Sequence, residues 1–170
     1  MSAIIDRLWS CQVGQYNVTD KQLKTDIPPG FKPADFSSRY LEDSGPYYLK
    51  KEADSWIVGL PVAEQHINYI DIAHGGVLTT LADVALSLQV YLSEQPNPNV
   101  TTTSLTVNFM AAAKLGDWLE ARATIDRLGK RTAHVHGSIL CGQRVLATAS
   151  GVFGIYRGDQ AHRAVDSDLK

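Results

Sequence analysis

The stretch that decides the fold runs from residue 72 to residue 92 and reads IAHGGVLTTLADVALSLQVYL. After the glycine pair, apolar residues point in nearly every direction around a helical wheel, which is the pattern of a helix covered on all sides. Asp83 is the only charged residue between Val77 and Leu92. Because an ionised carboxylate in apolar surroundings is costly unless it is paired, its position indicates chemistry.

The segments on either side of this helix predict strands. Two short ones precede the helix, and four longer ones with alternating apolar residues follow it, separated by turns that contain glycine. A helix that is apolar all round needs apolar cover all round, and a curved antiparallel sheet provides that cover. The sequence therefore predicts an α+β fold with a long central helix wrapped by strands at 47–49, 55–60, 100–110, 118–128, 131–140 and 145–156.

The length of 170 residues predicts one domain with a substantial core. Residues 46–157 carry the predicted helix and strands. Residues 1–45 are expected to form an N-terminal extension of a short helix and loops. Apolar residues recur at helical spacing between Ile4 and Val13, and prolines interrupt the chain from residue 28 to residue 33. Residues 158–170 are expected to be a polar tail.

Charge and composition exclude several classes of partner. The net charge of -2 gives no basic footprint for nucleic acid, and no uninterrupted apolar run is long enough to predict a membrane span. Residues 1–7 lack a signal-peptide pattern, so a cytoplasmic protein is expected. Cys11 and Cys141 are far apart without metal-type spacing and are expected to be reduced thiols.

The first candidate site lies at the start of the helix, at His74, Gly75 and Gly76. The first backbone N–H groups of a helix have no partner within the helix, and together with the helix dipole they attract negative charge. Two glycines allow another group to approach this backbone closely. The alternative is that the glycines simply form a turn into the helix, with His74 bracing the loop.

Asp83 is the second candidate. It shares one helical stripe with Thr79, Thr80 and Ser87, which lie three or four residues away. The functional interpretation is a general base or nucleophile beside a crevice; the structural one is a buried aspartate satisfied by the two threonines. Asn68 is a third candidate because its amide can hold a water or a carbonyl oxygen, although it can equally be an ordinary loop asparagine.

Metal binding is not predicted. The histidines at 66, 74, 134 and 136 can in principle ligate a metal, and His134 and His136 share one strand face. Their spacing nevertheless matches no known metal motif.

At these positions the chain resembles the hotdog-fold acyl-CoA thioesterases of the phenylacetate-pathway type. The family pattern is Asn68, five residues, His74-Gly75-Gly76, and an acidic residue nine positions after the histidine, here Asp83. The likeness continues through residues 107–117 and covers roughly residues 45–156. It implies the hotdog fold and hydrolysis of an acyl-CoA to a carboxylic acid and free coenzyme A, without a separate cofactor because coenzyme A is part of the substrate.

The resemblance also implies a role for each site residue. Asp83 matches the catalytic carboxylate, the Gly75 N–H matches the donor to the developing oxyanion, and Asn68 matches the residue that holds the carbonyl or water. His74 belongs to the same loop. In the family these groups meet across a dimer interface, so a homodimer or a dimer of dimers is expected.

Two further parts of the site follow from the same resemblance. A Ser or Thr early in the strand after the helix often assists; Thr102 is the nearest match, with Thr103 and Ser104 as rivals. The turn at 129–131 resembles a basic turn that meets coenzyme A phosphates in some members, so Lys130 and Arg131 are expected to contact coenzyme A. Gly76, at the start of the helix, is also expected to contact coenzyme A. The alternative for the turn is an ordinary charged hairpin.

Three functions remain open from the sequence. The first is acyl-CoA hydrolysis, and the second is thioester dehydration, in which His66 or His74 would work with an acid. The third is a non-catalytic acyl-CoA-binding module. The absence of a Gly-x-Ser-x-Gly motif argues against an α/β-hydrolase. The acyl group is not fixed by the sequence, and the aromatic residues considered for its tunnel, or alternatively for the core, are Trp56, Tyr69, Phe109 and Trp118.

Overall fold

The computed structural model describes residues 26–36, 38–53 and 55–157. Within them the chain forms one antiparallel sheet of seven strands and one long helix, with a short helix near the start. The elements are β1 (Lys32–Pro33), α1 (Arg39–Ser44), β2 (Tyr48–Glu52), β3 (Ser55–Pro61), α2 (Gly75–Tyr91), β4 (Asn99–Phe109), β5 (Trp118–Leu128), β6 (Thr132–Cys141) and β7 (Arg144–Tyr156).

The strand order in the sheet is β1-β2-β3-β5-β6-β7-β4. The chain passes from β3, in the interior of the sheet, through α2 to β4 at the far edge. Helix α2 therefore crosses one face of the sheet, where it packs on strands β3 to β7. Strand β4 pairs with β7 on one side only, and its other edge has no partner strand within the described residues. The predicted α+β hotdog fold is confirmed.

The core lies between α2 and this sheet face. The apolar side chains of α2 are covered by small and branched residues that alternate along β5, β6 and β7. Each fully buried leucine contributes about 2 kcal/mol relative to an exposed one, which explains why this helix fixes the fold. The fully or nearly fully buried helix residues are Leu78, Leu81, Ala82, Val84, Ala85, Leu86, Leu88 and Val90.

The helix begins at Gly75, as the glycine pair predicts; Ala73 before it pairs with Ile67 in an isolated bridge, and its N–H donates to the Ala113 carbonyl. One expectation about α2 needs correction, because the helix is not covered on every side. The stripe that contains Asp83 lies along an open cavity, and the sheet wraps only the remaining faces.

The N-terminal part contains structure that the sequence did not predict. Strand β1 pairs with β2, and α1 places Leu41 against the main core. The short helix expected between Ile4 and Val13 and the tail at 158–170 lie outside the described residues. No helix in the described part of the chain is long and apolar enough to cross a bilayer.

Candidate active site

Asp83 projects from the middle of α2 and is only partly buried. The Thr102 hydroxyl donates a 2.7 Å hydrogen bond to its Oδ1. No donor within the described residues reaches Oδ2. One oxygen of the carboxylate is therefore held in place, and the other is available to a water or a substrate.

A β-bulge explains how Thr102 reaches the helix. The register between β4 and β7 shifts between Thr102 and Ser104, so Thr103 is an extra residue in the edge strand. The alternation of side chains along residues 100–110 predicts that Thr102 and Leu105 lie on opposite faces of β4. This prediction is wrong, because the extra residue switches the alternation, and both residues line the cavity beside Asp83.

The hydroxyl groups on the helix stripe do not satisfy Asp83. Thr79 donates to the Gly75 carbonyl at 2.9 Å, and Ser87 donates to the Val84 carbonyl at 3.2 Å. Thr80 shares a 2.8 Å hydrogen bond with the hydroxyl of Tyr40 from α1. The structural interpretation, in which Thr79 and Thr80 satisfy a buried aspartate by hydrogen bonding, is therefore wrong.

A cavity of about 540 Å³ opens beside Asp83. Its size is in the range of small-molecule sites. Helix α2 forms one side, the start of β4 forms a second, and α1 with the residue before it forms a third. The lining residues are Ser38, Tyr40, Leu41, Thr79, Thr80, Asp83, Val84, Ser87, Thr102 and Leu105.

The start of α2 forms a second group of candidate residues. His74 caps the helix, and its Nδ1 accepts a 2.9 Å hydrogen bond from the Gly76 N–H. The Gly75 N–H has no acceptor within the described residues. A Cβ at Gly75 would lie 3.3 Å from the Phe109 ring, and one at Gly76 would lie 2.9 Å from His74 Nδ1. The glycines therefore keep this backbone accessible and let the histidine fold back over it.

Asn68 organises the loop that precedes the helix. Its Oδ1 accepts hydrogen bonds from the N–H groups of Ile70 and Ile72 at 3.0 and 3.4 Å. The loop is so tight that Asp71 takes a φ of 60°. The Nδ2 group of Asn68 has no acceptor among the residues that the structure describes. The amide thus holds the loop with its oxygen and leaves its N–H groups available as donors.

These two groups of residues do not meet within one chain. Asp83 lies eight residues beyond Gly75 on the same helix, which separates them by about 12 Å along the axis. Asn68, His74, Gly75 and Gly76 do not line the cavity beside Asp83. Of the other predicted catalytic residues, only Thr102 contacts Asp83 within a single chain.

His66 has a structural role that the sequence did not indicate. It is 2% exposed; its Nδ1 accepts from the Ala63 N–H, and its Nε2 donates to the Ser44 carbonyl, both at 3.0 Å. Its own carbonyl accepts the His74 N–H at 2.8 Å. Burial lowers the pKa of His66, which keeps the ring neutral. The ring thus links the end of α1 to the loop before α2.

Arg157, which is ion-paired with Glu94, holds the basic turn between β5 and β6. Arg157 donates to the carbonyls of Gly129 and Lys130 and forms two 2.6 Å hydrogen bonds with Glu94. The Lys130 and Arg131 side chains are exposed and have no carboxylate partner within the described residues. Arg157 lacked a signal in the sequence because its partner lies 63 residues away.

The sheet register also places the turn two strands away from β4. Thr132 pairs with Gly154, and Gly154 pairs with Thr101, which precedes Thr102. Two strand spacings, about 10 Å, therefore separate the end of the basic turn from the start of β4. No group of three His, Cys, Asp or Glu side chains in the described ranges is placed to hold a metal.

Comparisons with known proteins identify the family. The thioesterase superfamily model matches residues 70–148. Protein PA0474 of Pseudomonas aeruginosa is 39% identical over 128 residues, which span 75% of this chain and 96% of that protein. Human acyl-coenzyme A thioesterase 13 is 31% identical over 77 residues, 45% of this chain and 54% of the human protein.

Solved structures share the fold. PaaI from the phenylacetic acid degradation operon of Escherichia coli has a TM-score of 0.65 at 22% identity, covering 72% of this chain and 88% of PaaI. BH2602 of Bacillus halodurans, solved with CoA, has a TM-score of 0.60 at 26% identity, covering 65% and 74% of the two chains.

The fold and these relatives together define a hotdog-type thioester hydrolase. The chain belongs to the thioesterase superfamily, and the resemblance to phenylacetate-pathway members is confirmed. Hydrolysis is thereby selected over a non-catalytic binding module.

Proposed function

We propose that this enzyme hydrolyses an acyl-CoA thioester, with Asp83 as general base or nucleophile and the Gly75 N–H as oxyanion donor. The observation that carries the proposal is the asymmetric environment of Asp83. Thr102 fixes Oδ1, whereas Oδ2 has no donor among the described residues, and Asp83 lines a cavity of about 540 Å³. A carboxylate that is held through one oxygen and has its second oxygen unbonded is suited to attack or to proton removal.

The chemistry needs a donor on the carbonyl oxygen as well as a base. In the general-base route, Oδ2 removes a proton from a water that attacks the thioester carbon; the carbon–sulfur bond then breaks, and the proton passes to the sulfur, so that coenzyme A leaves as the thiol. In the nucleophilic route, Oδ2 attacks the carbon itself and the carbon–sulfur bond breaks; coenzyme A leaves as the thiolate, which takes a proton from water, and a water then cleaves the mixed anhydride to the free acid and the Asp83 carboxylate. In both routes the Gly75 N–H and the Asn68 Nδ2 group stabilise the negative oxygen, and one such donor is typically worth about 10²–10³ in rate.

A second copy of the chain brings these donors to Asp83 in this proposal. The edge of β4, which carries Thr102, has no partner strand in the part of the chain that the structure describes, and we propose that it pairs between subunits. Exposed apolar side chains also surround the donor loop, since Tyr69 and Ile70 lie within it and the Phe109 ring lies against Gly75. The proposed assembly is a homodimer, or a pair of homodimers, in which the Asn68 loop of one subunit faces Asp83 of the other.

The basic turn supplies the proposed contact with coenzyme A. Lys130 and Arg131 are exposed and unpaired within the described ranges, and the sheet register places their turn about 10 Å from the start of β4. Two adjacent cations attract phosphate groups. The BH2602 structure was solved with CoA, which supports the same ligand class here. The Gly76 backbone is proposed to contact coenzyme A at the start of α2.

The dehydratase alternative lacks a suitable histidine. Both ring nitrogens of His66 are engaged by backbone groups inside the protein. The Nδ1 atom of His74 accepts the Gly76 N–H, so this ring is engaged in capping the start of α2. Hydrolysis therefore agrees better with the geometry.

The decisive experiment compares Asp83→Asn with Asp43→Asn, which removes an exposed carboxylate from α1 outside the cavity. Release of free coenzyme A is measured over acetyl-, octanoyl- and phenylacetyl-CoA. We expect Asp83→Asn to lower kcat at least a thousandfold while Asp43→Asn stays within twofold of the wild type. Circular dichroism establishes that both variants are folded. Wild-type turnover by folded Asp83→Asn would contradict the proposal.

A further inference from the structure

The third side of the cavity comes from a part of the chain that the thioesterase model does not match. Ser38, Tyr40 and Leu41 line this side, whereas the matched residues are 70–148. The catalytic side is built by α2 and β4. This division suggests that α2 and β4 carry out the chemistry, whereas the side formed by Ser38, Tyr40 and Leu41 selects the acyl group.

Tyr40 is fixed although it is largely exposed. The residue is 63% exposed, yet its hydroxyl forms a 2.8 Å hydrogen bond with Thr80 Oγ1. Thr80 lies one helical turn before Asp83. An exposed tyrosine ordinarily samples several rotamers, and the hydrogen bond restricts this one to a position beside the cavity.

The short helix that carries Tyr40 is anchored at its end as well. Leu41 packs against the main core. At the last residue of the helix, the Ser44 carbonyl accepts from His66 Nε2 at 3.0 Å, and the next carbonyl, of Gly45, accepts from Gln65 Nε2 at 3.1 Å. These contacts tie α1 to the loop before α2, so the side of the cavity that α1 forms is a fixed wall.

We propose that Tyr40, held by Thr80, sets the size of the acyl group accepted beside Asp83; this proposal rests on the proposed acyl-CoA hydrolysis. An acyl group with its carbonyl at Asp83 runs past Val84 and Leu105, and the Tyr40 ring and Leu41 limit it on the far side. Compact acyl groups are accommodated, and long straight chains meet the ring. Tyr40 is thus a specificity-determining residue that the family pattern does not include.

The test compares wild type, Tyr40→Ala, Tyr40→Phe and Arg39→Ala. Arg39 is the matched control because it is an exposed neighbour on α1 that does not line the cavity. The first readout is the ratio of kcat/KM for dodecanoyl-CoA to that for butanoyl-CoA. The second is the ratio of dissociation constants for the non-hydrolysable S-dodecyl and S-butyl thioethers of coenzyme A, measured by calorimetry. Light scattering checks that the assembly is the same in every variant.

We expect Tyr40→Ala to raise the long-to-short ratio of kcat/KM at least tenfold and to shift thioether affinity in the same direction. A few methylenes in an apolar site already give discrimination of this size. Tyr40→Phe keeps the ring but loses the hydrogen bond, so a smaller rise of about threefold is expected, and Arg39→Ala should match the wild type. A Tyr40→Ala ratio within twofold of the wild type overturns the proposal.

The two readouts separate this proposal from the function it rests on. If the wild type hydrolyses none of the acyl-CoAs but Tyr40→Ala changes the thioether preference tenfold, hydrolysis of acyl-CoA is overturned and the size limit stands. If the wild type neither hydrolyses acyl-CoA nor binds the thioethers, both proposals are overturned.

Discussion

The Thr102 hydroxyl joins the edge strand of the sheet to Asp83 in the middle of the central helix through a 2.7 Å hydrogen bond. The same strand presents the edge that is available for pairing with a second subunit. The bulge at Thr103 allows this contact by turning Thr102 toward the helix. Formation of the subunit interface and orientation of the carboxylate therefore depend on the same few residues.

Removing the Thr102 hydroxyl tests this relationship. A hydrogen bond to a charged group is worth about 1.5–3 kcal/mol, so Thr102→Val should lower kcat by about 10- to 100-fold through loss of carboxylate orientation. Thr102→Ser keeps the hydroxyl and should recover most of the activity. Steady-state kinetics measure the effect. Thr106→Val, on the same strand outside the cavity, serves as control and should behave as wild type.

Substitutions of Asn68 separate its two functions. Asn68→Asp keeps the oxygen that accepts from Ile70 and Ile72 but replaces the Nδ2 donor with a negative charge. We expect the melting temperature to change little while kcat falls at least tenfold. Asn68→Ala should lose stability as well as activity, because two loop N–H groups lose their acceptor. Equal losses of stability in both variants, with turnover preserved in Asn68→Asp, would leave Asn68 a purely structural role.

The buried His66 makes stability depend on pH. Burial lowers its pKa below the ordinary 6.5, so the unfolded chain takes up the proton first as the pH falls. Its contribution is unchanged above about pH 6.5, and the free energy of unfolding declines below it by up to about 1.4 kcal/mol per pH unit until the folded-state pKa is reached.

Denaturant unfolding between pH 5 and pH 8 measures this slope. The carboxylates with lowered pKa values, Glu52 and Glu94, start from an ordinary value of 4.5 and titrate below this range. His66→Gln should remove most of the decline between pH 6.5 and pH 5, whatever its effect on absolute stability. His134→Gln replaces an exposed histidine and should retain the wild-type slope. An unchanged slope in His66→Gln would contradict the assignment.

The basic turn predicts a difference between two substrates with the same acyl group. Lys130→Ala combined with Arg131→Ala should raise KM for an acyl-CoA about tenfold and leave KM for the corresponding N-acetylcysteamine thioester unchanged, because the small thioester has no phosphates. The acyl-CoA effect should shrink as salt is added. Lys32→Ala, on β1, is the control for loss of a surface charge. Equal changes in KM for both substrates would argue against phosphate contact.

Much of the fold was predictable because it depends on local patterns. The alternation along 118–128 predicts the bounds of β5, and the glycine pair predicts the start of the central helix. Helix α1 was missed because its stability comes from Leu41 packing on a distant core rather than from its own six residues.

The site was predictable only in part. The spacing from Asn68 to Asp83 singled out the carboxylate and the donor loop, while the choice between Thr102, Thr103 and Ser104 required the bulge. None of the aromatic residues considered for the acyl tunnel lines the cavity; Tyr40 does. A cytoplasmic location remains a prediction.

The sequence alone determined that one carboxylate would stand in an apolar helix behind a glycine pair, because helical periodicity and residue chemistry are properties of the chain itself. The tertiary structure decided what each group touches. Contacts such as those of Thr102 with Asp83, Tyr40 with Thr80 and His66 with Ser44 join residues 19 to 40 positions apart. They depend on strand register and on helix packing, which follow from burial of the whole core rather than from any local segment.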